Sequence, residues 1–339
     1  MTNSESVLTQ LIRERGTLLA DGATGTTLFA SGLTSGDAPE LWNADEPDKI
    51  RALHRGFMEA GSDIILTNTF GGTRHRLKLH SADDRVEELN ERAAILACEV
   101  ASEADRRLVV AGSVGPTGEL FEPLGALTLE EAVNAFSEQI RGLKKGGADV
   151  VWIETMSAAE EILAAATAAI QEGMPYCFTC SFDTAGKTMM GLEPAAIHDL
   201  CTELTESPLA LGANCGVGAP DILSSLLDMS AANPDTPIIV KGNCGIPQFQ
   251  GAEVVYSGTP ELMAEYAGLA LDAGASIIGG CCGTTKEHIA AMRSAIDQHT
   301  LRTRPTLEDI TSALGELVNN TASHTKKVKP TRGRRRHRT

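Results

Sequence analysis

Residues 273–288 read Ala-Gly-Ala-Ser-Ile-Ile-Gly-Gly-Cys-Cys-Gly-Thr-Thr-Lys-Glu-His. A helix stop at Gly274, an apolar run at 275–278, a switch to glycine and cysteine, and a new helical stretch follow one another without a spacer. The same order recurs along the chain. Short apolar or β-branched runs lie at 17–20, 63–66, 108–111, 149–153, 176–180, 209–212, 237–240 and 275–278. Stretches of helical periodicity rich in Ala, Leu and Glu separate them, at 47–60, 86–105, 129–145, 158–171, 194–204, 220–232, 260–273 and 286–299. Several open on proline and several close on glycine, as at Gly61, Gly146 and Gly274, the expected start and stop chemistry. Continuous apolar strands imply burial on both faces, as in a parallel sheet covered by helices. Eight such units predict a single α/β domain, a (β/α)8 TIM barrel.

The chain has 339 residues, long enough for two ordinary domains or one large barrel. The strand count favours the barrel for residues 1–300, with a helical extension at 301–320 (helical pattern 306–318) and a disordered basic tail at 321–339. No Gly-x-Gly-x-x-Gly follows the first run, so a dinucleotide fold gains no support, and 21–26 lacks the Lys-Ser/Thr ending of a phosphate loop. Aromatics are only 4% of the chain, so Ala, Leu, Ile and Val must do most of the packing. No apolar run approaches the ~18 residues that a bilayer span requires. The N-terminal stretch lacks the apolar centre of an export signal, which points to the cytoplasm, where clustered cysteines suggest metal binding or catalysis over disulfides.

In such a barrel the chemistry sits where the strands end. The eight endings read Asp21-Gly-Ala-Thr-Gly, Thr67-Asn-Thr-Phe, Gly112-Ser-Val-Gly, Glu154-Thr, Ser181-Phe, Asn214-Cys-Gly, Lys241-Gly-Asn-Cys-Gly and Gly279-Gly-Cys-Cys-Gly. Cys215 ends the sixth strand and Cys281 and Cys282 end the eighth, so barrel closure would bring three thiols together. Three thiolates leave one tetrahedral zinc position open, the arrangement of a catalytic site. The alternatives are a closed four-cysteine site completed by Cys244, or a vicinal disulfide between Cys281 and Cys282. Cys98, Cys177, Cys180 and Cys201 are expected to be small core residues. His75 and His80 flank a loop-to-helix transition and are expected to be solvated.

These segments, with Thr67-Asn-Thr-Phe-Gly-Gly, Gly112-Ser-Val-Gly-Pro, Trp152-Ile-Glu-Thr, Gly212-Ala-Asn-Cys-Gly and Gly279-Gly-Cys-Cys-Gly-Thr-Thr, resemble the zinc-dependent homocysteine S-methyltransferases over about residues 10–300. The resemblance is closest to bacterial betaine–homocysteine methyltransferases and extends to the homocysteine-binding module of cobalamin-dependent methionine synthase. It implies a Zn2+ held by Cys215, Cys281 and Cys282, with homocysteine taking the open position through sulfur to become methionine. It places Asp21 and Glu154 on the substrate ammonium, and the amides of Gly22, Ala23, Thr24 and Gly25, with Ser113, on its carboxylate. Asn243 matches a family asparagine that fills the fourth metal position in the absence of substrate, with water as the alternative. For Asp21 a turn role before glycine is the alternative. An unpaired Glu154 at the end of a buried run would be costly without a cation.

Trp42 matches a family tryptophan that contacts a small cationic methyl donor, although it could equally pack a loop onto the barrel. Two other aromatic positions of betaine-type sites read Gly71 and Thr155 here. Glycine betaine is the expected donor, with S-methylmethionine or another sulfonium, or a separate cobalamin subunit, as alternatives. A zinc hydrolase would favour His and carboxylate ligands, which the strand endings lack.

With 29 Lys+Arg against 45 Asp+Glu, the formal charge is −16. Eight cations lie after Glu316, and removing them takes the charge from −16 to −24. The tail could add salt-sensitive affinity for nucleic acid, but the acidic body repels a polyanion and the tail has no interleaved aromatic to stack on bases. The fold is also compatible with a homo-oligomer.

Overall fold

The computed structural model describes residues 5–319 except 233, 234, 246, 251 and 252. The expected tail at 321–339 and the Cys201 side chain lie outside the described residues. The strands are β1 (Leu18–Leu19), β2 (Ile64–Leu66), β3 (Val109–Val114), β4 (Val150–Met156), β5 (Tyr176–Cys180), β6 (Leu211–Cys215), β7 (Ile238–Gly242), β8 (Pro247–Gln250), β9 (Glu253–Tyr256) and β10 (Ile277–Gly280). Eight of them form one sheet in the order β1-β10-β7-β6-β5-β4-β3-β2, and its pairings are parallel. A parallel bridge from Ala20 to Ile64 joins the two edges, with Asp21 N–H donating to Ile64 O at 3.1 Å and Asp63 N–H to Leu19 O at 2.6 Å. The sheet therefore comes round on itself as a (β/α)8 barrel.

Each of the eight apolar runs coincides with a barrel strand. The antiparallel hairpin β8–β9, between β7 and the helix Pro260–Asp272, is an addition. Its four-residue arms are too short for periodicity to mark. The helical stretch at 194–204 forms as a 3-10 helix, Pro194–Glu203. The extension folds as the helix Leu307–Leu314, capped by a Thr306–Asp309 box, and stops at Gly315 with φ 99°, short of the expected 318.

Two cores occupy alternate residues of the same strands, as the period of two requires. Leu18, Ala20, Ile64, Leu66, Val109, Ala111, Val150, Trp152, Cys177, Ile239 and Ile277 face one another inside the barrel. Leu19, Val151, Ile153, Phe178, Leu211, Ile238, Val240 and Ile278 face outward into the helical layer. The helix Val7–Arg15, with Ser6 accepting from Thr9 N–H as its cap, inserts Leu8 and Leu11 against the inner cluster and stops that end of the barrel. Apolar side chains fill the lower inner rows. Continuing the same columns upward places Ser113, Glu154, Thr179, Asn214, Lys241 and Cys281 in the top row.

Gly212 lies where β6 meets β7, and a Cβ there would stand 1.9 Å from Ile239 O. Backbone cannot yield as a flexible side chain can, and overpacking costs about 1–3 kcal/mol or more. Gly212→Ala should therefore lower stability by about 3 kcal/mol in urea unfolding; an unchanged midpoint would contradict this packing.

Candidate active site

The top row and the loops above it enclose a cavity of about 420 Å³. Cys215, Cys281 and Cys282 stand at its edge, their sulfurs all within 4.8 Å of one another. Cys215 reaches this place because its backbone adopts φ 63°, in the left-handed region, and Gly216 follows with φ 73°. That conformation is uncommon outside glycine and costs energy, so the surrounding bonds must enforce it. Asn243 supplies two of them: its Nδ2 donates to Gly216 O at 2.7 Å, and its Oδ1 accepts from Cys282 N–H at 3.0 Å.

Each sulfur also meets a side-chain donor. Asn243 Nδ2 lies 3.7 Å from Cys215 Sγ and Asn214 Nδ2 lies 3.9 Å from Cys281 Sγ. The Tyr256 hydroxyl, at the end of β9, donates to Cys282. Its ring lies so close to Gly283 that a Cβ there would meet Tyr256 Cγ at 2.3 Å. Such donors orient thiolates and spread their charge once a metal is bound. The sequence marks Asn243 through the resemblance and Asn214 only as part of a strand ending, and it gives no role to Tyr256. Counting inward positions along β6 would have found Asn214, whereas Tyr256 arrives from the unanticipated hairpin.

Cys244 is buried beside the cluster but does not belong to it. Its backbone N–H donates to Cys282 O at 3.0 Å, so it ties the loops together through main chain. Cys177 and Cys180 are buried as expected, whereas Cys98 is half-buried, its thiol donating to Gly147 O at 3.3 Å. His80 is exposed at the cavity rim, and His75 is half-buried. Without metal the thiols are held protonated. Hydrogen bonding to Cys281, with burial added, pushes Cys215 up to about 12, and hydrogen bonding to Cys215 pushes Cys282 up to about 11.

Across the cavity, Glu154 is the inward residue after Val150 and Trp152 on β4. A bulge between Ile153 and Met156, with Thr155 at φ 62°, follows it near the end of the strand. Bulges of this kind re-aim side chains beside functional sites. Asn214 stabilises the bulge, its Oδ1 accepting from Thr155 N–H at 2.7 Å and from Thr179 Oγ1 at 2.6 Å. Glu154 Oε1 accepts from Ser113 Oγ at 2.5 Å. Burial raises the pKa of Glu154, opposed by Lys241 and the Ser113 bond.

Asp21 is buried as well. Its Oδ2 accepts from Leu66 N–H at 2.8 Å and its Oδ1 from the Lys241 ammonium at 2.8 Å. In the sequence Lys241 stands out only as part of a strand ending. Gly22 must be glycine, since a Cβ would stand 2.5 Å from Thr284 O and 2.7 Å from the Phe57 ring. Ala23 N–H already donates to Thr284 O at 3.0 Å. The amides of Thr24 and Gly25 open the helix Thr24–Ala30 beside the cavity and have no acceptor within it.

Trp42 is not brought to the cavity. It packs partly buried against the outer core, and the Lys49 ammonium sits 4.2 Å from its ring centroid, so its aromatic face is already covered by a cation of the protein. Phe29 and Phe70, both exposed, line the cavity mouth with Asp37, Glu40, Arg76 and His80.

Comparison with known proteins places this arrangement. Residues 18–296 match the homocysteine S-methyltransferase family. The chain belongs to that family. It is 31% identical over 299 residues to methionine synthase of Mycobacterium leprae, and 31% identical over 295 residues to that of Mycobacterium tuberculosis. Each match covers 82% of this chain but 24% of the relative, so the chain corresponds to about a quarter of those proteins. The structure resembles the homocysteine methyltransferase MmuM of Escherichia coli in its metallated form, with a TM-score of 0.71 and 25% identity over 85% of this chain and 99% of that one. Among the described residues, no helix is long and apolar enough to cross a membrane.

Replacing Cys215, Cys281 or Cys282 with Ala should abolish stoichiometric metal binding, measured by metal analysis after dialysis, while Cys244→Ala should retain it. Because the free thiols are protonated near neutral pH, binding must displace protons. Calorimetry in buffers of different ionisation enthalpy should show close to one proton released per coordinating thiol and an affinity that rises with pH. Metal retained without Cys215 or Cys282 would contradict the assignment.

Proposed function

We propose that this protein transfers a methyl group from glycine betaine to L-homocysteine, with zinc held by Cys215, Cys281 and Cys282. The observation that supports this best is the three-sulfur cluster at the edge of a cavity that also holds buried carboxylates. The donor set fits the ion: three thiols leave one tetrahedral position, and each has a side-chain donor to fix its orientation. Zinc bound there would lower the pKa of an incoming thiol and keep it as the nucleophilic thiolate.

The protein's own groups do the positioning. Glu154, steadied by Ser113, faces the substrate ammonium, with Asp21 beside it. The amides of Thr24 and Gly25 face its carboxylate. The substrate sulfur attacks the methyl carbon in line. An S–C bond forms as the C–N bond breaks, and the electron pair leaves on the nitrogen of dimethylglycine.

On the donor side, Phe29 and Phe70 take the place expected of Trp42. Aromatic faces with Asp37 and Glu40 suit a quaternary ammonium, and Arg76 and His80 suit the betaine carboxylate. Asn243 as substrate-free fourth ligand would have to release its bonds to Gly216 and Cys282. Because those bonds also hold the Cys215 loop, Asn243→Ala should weaken metal retention and lower turnover; unchanged turnover, with an altered spectrum of the Co2+-loaded protein without substrate, would favour the ligand role instead.

The match to a quarter of methionine synthase supports a second reading, in which the methyl group comes from a separate cobalamin protein. Assay of the zinc-loaded protein with homocysteine against betaine, dimethylsulfoniopropionate, S-methylmethionine and methylcobalamin separates the two. Turnover only with methylcobalamin would reject betaine. Phe70→Ala should raise the KM for the donor roughly tenfold with little change in that for homocysteine. Glu154→Gln should do the reverse.

A further inference from the structure

The inner column of β7 ends on a residue that the chemistry above leaves unused. Lys241 is only 3% exposed, yet it lines the cavity. Its ammonium is ion-paired with the buried carboxylate of Asp21. An ammonium carries three N–H donors. Asp21 Oδ1 takes one at 2.8 Å, the Trp152 ring centroid lies 5.8 Å from the ammonium, and among the described residues no other oxygen, nitrogen or sulfur accepts from it. A buried charged donor without an acceptor is costly, so the remaining donors call for an anion in the cavity.

The carboxylates differ in what they have left. Asp21 has one oxygen on Lys241 and the other on Leu66 N–H. Glu154 is bonded to Ser113 through Oε1 alone, and forms no ion pair with Lys241 although both line the same cavity. An ammonium with spare donors and a carboxylate with a spare oxygen thus face one space beside three sulfurs. That is the complement of an amino-acid zwitterion carrying a thiol.

We infer that Lys241 binds the α-carboxylate of the substrate, opposite Glu154 on its α-ammonium, and that Asp21 acts on Lys241 as a positioning residue. The inference rests on the proposed homocysteine specificity and changes the roles within it: Asp21 no longer serves chiefly the substrate ammonium, and the amides of Thr24 and Gly25 assist Lys241. Selectivity for an amino acid over a simple thiol amine then comes from β7.

The test uses the full chain loaded with Co2+, whose visible spectrum changes when a thiol coordinates and so reports binding without turnover. L-homocysteine is compared with homocysteamine, the same thiol amine lacking the carboxylate. Lys241→Met should cut the preference for L-homocysteine roughly tenfold or more, the loss of a charge-assisted hydrogen bond, while homocysteamine affinity stays within about threefold. The double variant Asp21→Asn, Lys241→Met removes both buried charges, guards against misfolding around an unpaired Asp21, and should show the same lost preference. Recovery of the preference in the double variant would make Lys241 a mere counter-ion of Asp21 and overturn the inference. Equal weakening of both ligands, or an unchanged preference, would also overturn it. A cobalt spectrum of the unsubstituted protein that responds to neither thiol would instead overturn the homocysteine assignment, and this inference with it.

Discussion

Side chains on the inner columns of a closed parallel barrel are cut off from water, so any polar group placed there must be met by another group or by a ligand. The lower rows obey this by being apolar, from Leu18 and Ile64 through Trp152 to Ile277, with Leu8 and Leu11 closing the end. The top row breaks it on five columns with Ser113, Glu154, Thr179, Asn214 and Lys241, all buried. Much of the site consists of the ways in which these groups satisfy one another, and the unsatisfied remainder faces the cavity.

Two side-chain amides hold that row in place. Asn214 joins β4, β5 and β6 by bonding Thr155 and Thr179 while pointing its Nδ2 toward Cys281. Asn243 joins the cysteine loops after β6 and β10. Two of the four described non-glycine residues with positive φ, Thr155 and Cys215, are held by these amides. Strain of this kind persists only where neighbours over-determine it, and here the result is three sulfurs at one place and a carboxylate turned toward the cavity.

The barrel is also the unit that recurs among relatives. It matches nearly the whole of E. coli MmuM and about a quarter of the mycobacterial methionine synthases. Inner-row residues of the barrel line the floor of the cavity, whereas Phe29 and Arg76, from short helices that follow the strands, and Phe70, from the turn after β2, line its mouth. Segments that follow the strands tolerate exchange better than inner rows do, so the mouth of such a cavity can vary while its floor is kept.

The sequence by itself determined the strand count, the closure into a barrel and the identity of the three thiols, because burial on both faces and a change from apolar to polar at each strand end are local signals. It also marked Asp21 and Glu154, since charges at the end of buried runs are conspicuous. It could not determine which partner each charge would find. Lys241 and Asp21 are 220 residues apart, and only β10 lying between β1 and β7 brings them within 2.8 Å. Tyr256 over Cys282 depended on a hairpin too short to be read from periodicity, and Trp42 was covered by Lys49 from the following helix. The tertiary structure decided these matters because burial forces polar groups to pair in space, whatever their separation along the chain.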